Sequence, residues 1–108
     1  MKEIQSMEEW EQVRNQSRKE PIFFMKHSST CPVSVAGYRV FDKFETDIPK
    51  YYLIVQRSRA LSNEVESKLG IRHESPQLLL IKGGEAVWHA SHYGISQSNI
   101  TSAVEANG

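Results

Sequence analysis

Apolar residues in this chain fall into short unbroken runs and into stretches of helical spacing, with turn-forming residues between them. Ser6-Met7-Glu8-Glu9 has the Ser-x-x-Glu form of a capping box, in which hydroxyl and carboxylate satisfy amides at a helix start. Met7, Trp10 and Val13 follow at helical spacing, which predicts an amphipathic helix over residues 7–17, ended by Pro21. Ile22-Phe23-Phe24-Met25-Lys26 has the β-branched and aromatic content of a buried strand. Pro32 suits the first turn of a helix, where its missing N–H costs nothing. Val33, Ala36, Val40 and Phe44, joined by Phe41, would form that helix's apolar face. Gly37 inside it costs roughly 1 kcal/mol against alanine, a sign of close packing or of nothing in particular.

Pro49 marks a break, and Tyr51-Tyr52-Leu53-Ile54-Val55 reads as a second strand. Leu61, Val65 and Leu69 predict a short helix closed by Gly70. Ser75-Pro76 precedes a third strand, Leu78-Leu79-Leu80-Ile81. Lys82-Gly83-Gly84-Glu85 is a hairpin turn into Ala86-Val87-Trp88-His89-Ala90, because paired glycines accept the positive φ angles such turns require. Ile100, Ala103 and Val104 place a last helix near residues 97–106. A helical crossover makes the first two strands parallel, and the hairpin makes the last two antiparallel. The expectation is an α/β fold, a four-stranded mixed sheet flanked by helices on both faces, in one domain spanning residues 1–108.

Thirteen basic and thirteen acidic residues cancel, so no net field favours nucleic acid or an anionic membrane. Residues 1–6 lack the apolar stretch of an export signal, and no run approaches the ~18 apolar residues of a membrane span. A single cysteine cannot form an internal disulfide, and a reducing cytoplasm is the expected setting. Cys31 sits where the first strand gives way to the second helix. A helix start offers unpaired amides and the positive end of the dipole, which favour a thiolate, the form that attacks disulfides.

The other polar residues have plainer readings. His89 and His92, three apart in or near a strand, point to opposite faces, so no metal site is expected. His27, four residues before Cys31, is expected to be a solvated loop residue, with a cation acting on the thiol as the lesser alternative. Lys26 and Arg39 could attract an anionic small thiol, although such charges usually mark a solvated surface. Trp88, Tyr51 and Tyr52 are assigned to the sheet. No nucleophile-elbow glycine pattern supports a hydrolase.

The element order, with a cysteine opening the second helix and a proline before the third strand, resembles the thioredoxin fold. Residues 69–80 resemble that family's cis-proline loop and following strand, one residue longer, which implies a cis Ser75–Pro76 bond. Ser34 stands where a dithiol enzyme has its second cysteine. Thr30-Cys31-Pro32-Val33-Ser34 with His73-Glu74-Ser75-Pro76-Gln77 closely resembles the monothiol bacilliredoxins. The resemblance implies a thiol-disulfide oxidoreductase with Cys31 catalytic and Thr30, Pro32, Ser34, Ser75 and Pro76 at the substrate. Ser34 would hydrogen-bond the Cys31 sulfur, and the Ser75 backbone would pair with an extended substrate. No bound cofactor is implied. By the same resemblance bacillithiol would be the co-substrate and bacillithiolated client proteins the partners, and a monomer is expected. Two alternatives are an iron–sulfur carrier like the monothiol glutaredoxins and a non-catalytic adaptor. The carriers have glycine and phenylalanine where this chain has Pro32 and Val33.

Overall fold

Ser6 caps the first helix as its sequence predicts. Its Oγ accepts the Glu9 N–H at 3.1 Å, while the Glu9 carboxylate accepts the Gln5 N–H at 3.0 Å. The computed structural model describes residues 1–107. In chain order it has β1 (Lys2–Glu3), α1 (Met7–Gln16), β2 (Ile22–His27), α2 (Pro32–Lys43), β3 (Lys50–Ile54), α3 (Arg59–Leu69), β4 (Gln77–Lys82), β5 (Glu85–Ser91) and α4 (Gln97–Asn107). A turn of 3-10 helix, His92–Gly94, joins β5 to α4.

The strands form one mixed sheet in the order β1-β3-β2-β4-β5. β2 runs parallel to β3, with Phe24 opposite Tyr51, and antiparallel to β4, with Phe24 opposite Leu79. Gly83 and Gly84, at φ 65° and 80°, turn β4 into antiparallel β5. The sheet has five strands rather than the expected four. The additional one, Lys2–Glu3, pairs parallel with Tyr51 and Tyr52, and the Ile4 N–H extends the pairing to Tyr52 O at 2.7 Å. Two residues are too few to show strand alternation.

Successive residues of β2 serve opposite faces. Ile22 and Phe24 pack with Trp10 and Val13 of α1 and Leu61 and Val65 of α3. Phe23 and Met25 pack with Phe41 of α2 and Ile100 and Ala103 of α4. Edge-to-face pairs lock both layers, Trp10 on Phe24 at 5.2 Å and Phe23 on Phe41 at 5.5 Å.

The buried face of α2 differs from the expected one. Ser34, Gly37 and Phe41 face inward, whereas Ala36 is exposed and Val33 and Val40 are only partly covered. A polar residue and a glycine take core positions because each meets a particular neighbour. Ser34 is bonded to His27, and a Cβ built on Gly37 would lie 3.6 Å from Pro76 and 3.5 Å from Ile95.

Candidate functional site at the start of the second helix

β2 delivers the chain to the end of the sheet at His27, and residues 28–30 turn it into α2. Cys31 is the N-cap of that helix, with extended backbone angles (φ −97°, ψ 120°), and Pro32 occupies the first turn. The Cys31 carbonyl accepts the Val35 N–H at 2.9 Å, while the thiol makes no capping hydrogen bond. The sulfur-bearing residue is half-buried, so a reagent can reach it.

β4 begins at the same end of the sheet, where Gln77 pairs with Lys26. The Ser75–Pro76 bond immediately before it is cis. Pro76 is buried beneath Gly37 of α2, and its carbonyl accepts the His92 N–H at 3.1 Å. Thr30, Cys31, Pro32, Ser75 and Pro76 therefore lie at one end of the sheet, with Thr30 and Pro32 exposed and Ser75 half-buried.

Ser34 occupies a position different from the expected one. It is fully buried, and its Oγ accepts the Ser28 N–H at 2.8 Å and shares a 2.8 Å bond with His27 Nδ1. Among the described residues no hydrogen bond joins it to Cys31. The hydroxyl ties the loop before Cys31 to the helix after it.

His27 also departs from the expected setting. It is buried at the last position of β2, its ring 4.7 Å from that of Tyr38. Burial holds its protonation below the ordinary histidine range, with the Ser34 contact opposing. A neutral, enclosed imidazole is neither a solvated loop residue nor a cation acting on the thiol. Lys26 is likewise withdrawn from substrate, being fully buried, whereas Arg39 is exposed on α2.

Gln56, which nothing in the linear pattern singles out, clamps the cysteine loop from the far side. Its Nε2 donates to Ser28 Oγ at 2.8 Å and Thr30 Oγ1 at 3.0 Å, and its Oε1 accepts the Ser29 N–H at 3.2 Å. Thr30 thus serves the loop with its hydroxyl.

Known proteins share this fold, and some of them share its sequence as well. Residues 2–100 match the family description of monothiol bacilliredoxin BrxC. A solved structure proposed to be an oxidoreductase with a thioredoxin fold is 39% identical, with a TM-score of 0.87 over 94% of this chain and 91% of that one. The thioredoxin of Malassezia sympodialis (Mala s 13) is 19% identical, with a TM-score of 0.77 over 98% and 89%. That of Fasciola hepatica is 11% identical, with a TM-score of 0.79 over the whole of both chains. The last two show the fold alone. The fold and site are those of a thioredoxin-like oxidoreductase. Within that class the chain belongs to the monothiol bacilliredoxin family. No helix among the described residues is long and apolar enough to cross a membrane.

Proposed function

We propose that this protein removes bacillithiol from S-bacillithiolated client proteins by thiol-disulfide exchange at Cys31. The observation that carries the reading is the N-cap position of a half-buried Cys31 with Ser34 buried and hydrogen-bonded three residues on. A nucleophilic sulfur is supplied at a helix start, and no second sulfur stands in the first turn to resolve it.

The Cys31 thiolate attacks the bacillithiol-side sulfur of the client's mixed disulfide. That disulfide breaks, the client sulfur leaves as thiolate and takes a proton from water, and Cys31 now carries bacillithiol. A second bacillithiol thiolate attacks the bacillithiol sulfur of this adduct, releasing bacillithiol disulfide and regenerating the Cys31 thiolate. Atoms and electrons balance without a second protein cysteine, consistent with the one cysteine of the chain. Extended client backbone fits beside Ser75, where β4 has not yet begun.

The test is a client protein carrying bacillithiol on one cysteine and, in parallel, the same client carrying glutathione. Each is incubated with the protein and excess of the matching free thiol. Release at least ten times faster from the bacillithiolated client, abolished by Cys31→Ser, supports the proposal. Equal rates, or release that survives Cys31→Ser, contradict it.

A further inference from the structure

Lys26 lies on the central strand β2, near the cysteine end of the sheet, and is wholly buried, a rare place for an ammonium group unless partners meet it. Its Nζ donates to Ser62 O of α3 at 3.0 Å and meets His73 Nδ1 at 3.3 Å. An ammonium has only donors, so the lone pair of His73 Nδ1 accepts and the ring proton sits on Nε2. Ser62 Oγ lies 3.1 Å from the same nitrogen. His73 belongs to the loop 70–76 that leads from α3 to Pro76.

Two further bonds fasten that loop. The Glu66 carboxylate accepts the His73 N–H at 2.7 Å, and Gln77 Nε2 donates to Arg72 O at 2.9 Å. Gln77 is the cross-strand partner of Lys26, is buried, and leaves its Oε1 unpartnered. A loop of little apolar content is thus anchored by polar groups of α3, β2 and β4, and it carries Ser75 and Pro76 to the cysteine end of the sheet.

We propose that Lys26 is a positioning residue for the client: its ammonium, bridging α3 and His73, fixes the loop that presents Ser75 and Pro76. Lys26 touches neither substrate nor Cys31, and its effect falls on how tightly a client is held rather than on the reactivity of the sulfur. This rests on the function proposed above.

The electrostatics of the cluster agree with the geometry. Burial pushes the Lys26 ammonium down to about 8, with Glu66 of α3 opposing. Burial, then the positive charges of Lys26 and Arg59, hold His73 below the ordinary histidine range, with Glu66 and Glu74 opposing. His73 is therefore neutral and able to accept at neutral pH. On the remaining sides β3 and β4 offer Leu53 and Gln77, neither of which titrates. Above the Lys26 transition the amine still donates, but without charge assistance, so the anchor weakens rather than vanishes.

The experiment compares wild type with Lys26→Met, His73→Leu and His73→Asn, whose amide oxygen takes roughly the place of Nδ1. Met fills the lysine stem and leaves Ser62 O with its helical partner. Melting curves first establish that each variant is folded. Three quantities are then read: KM and kcat for a bacillithiolated client, the rate of Cys31 alkylation by iodoacetamide, and amide hydrogen exchange over residues 71–77. Lys26→Met and His73→Leu should raise KM at least fivefold and speed loop exchange at least tenfold, leaving kcat and alkylation within twofold. His73→Asn should restore most of both. Wild-type KM should rise two- to fivefold between pH 7 and pH 9 relative to Lys26→Met. Unchanged loop protection in Lys26→Met overturns the proposal, as does a loss confined to kcat or alkylation. A wild type inactive on the client would refute the proposed function, while the hydrogen-exchange comparison would still decide whether Lys26 holds the loop.

Discussion

Ser34 Oγ lies 2.8 Å from both His27 Nδ1 and the Ser28 amide nitrogen, so the residue in the resolving position is bonded across the site rather than to Cys31. In the thioredoxin-like arrangement this hydroxyl replaces a sulfur and becomes part of the scaffold. Ser34→Ala leaves the buried His27 ring nitrogen and the half-buried Ser28 N–H without this partner and should cost about 1–3 kcal/mol, read from urea denaturation. Ser34→Cys should lose part of that stability yet retain the first exchange step. It should also allow an internal disulfide between Cys31 and the introduced sulfur, visible as a loss of two hydrogens in intact mass. Failure of the first step in a folded Ser34→Cys protein would show that the hydroxyl does more than hold the loop.

His27 predicts an acid-side instability. Its folded value lies below the unfolded one near 6.5, so the unfolded chain binds more protons as pH falls through that region. Stability should therefore decline below about pH 6.5 and be fully present above it. His73 acts in the same direction. Denaturation midpoints from pH 7.5 to 5 should slope down in wild type and less steeply in His27→Asn, which keeps the His73 contribution. An equal slope in both would place the acid sensitivity elsewhere.

Gly37 can accept a small side chain. A Cβ there meets Ile95 and Pro76 at 3.5 and 3.6 Å, ordinary van der Waals contact. Gly37→Ala should gain about 0.5–1 kcal/mol from helix propensity, whereas Gly37→Leu should destabilise by overpacking against Pro76. Thermal melts of the two variants distinguish this from a position that tolerates nothing larger than hydrogen.

Gln56 should matter more to order than to stability. Gln56→Ala removes three bonds to the cysteine loop at an exposed position. The expected cost is within about 1 kcal/mol, with faster exchange of the Ser29 amide and a several-fold slower release of bacillithiol. Unchanged Ser29 protection would mean that the Ser34 bonds alone hold the loop.

The chain discloses its fold through features that act locally. The apolar runs at 22–25 and 78–81, the Gly83-Gly84 turn and the Ser6 capping box each specify their own element, and the helical crossover supplies the parallel pairing. β1 escaped because its partner is nearly fifty residues away and it has only two residues. The inward face of α2 escaped because hydrophobicity cannot mark Ser34 or Gly37 as buried; their partners, His27 and Pro76, come from other elements. Lys26 and Gln56 were hidden for the same reason. A lysine reads as solvated until α3 and the proline loop enclose it, and Gln56 is tied to Thr30 only through space.

The whole mechanism requires that Cys31 itself take up the small thiol. Reduced protein is mixed with an equimolar bacillithiolated client, without free bacillithiol, acid-quenched at short times and weighed intact. This chain should gain one bacillithiol, mapped to Cys31, as the client loses its own. An unmodified Cys31, or a covalent disulfide between the two proteins with bacillithiol set free, would contradict it.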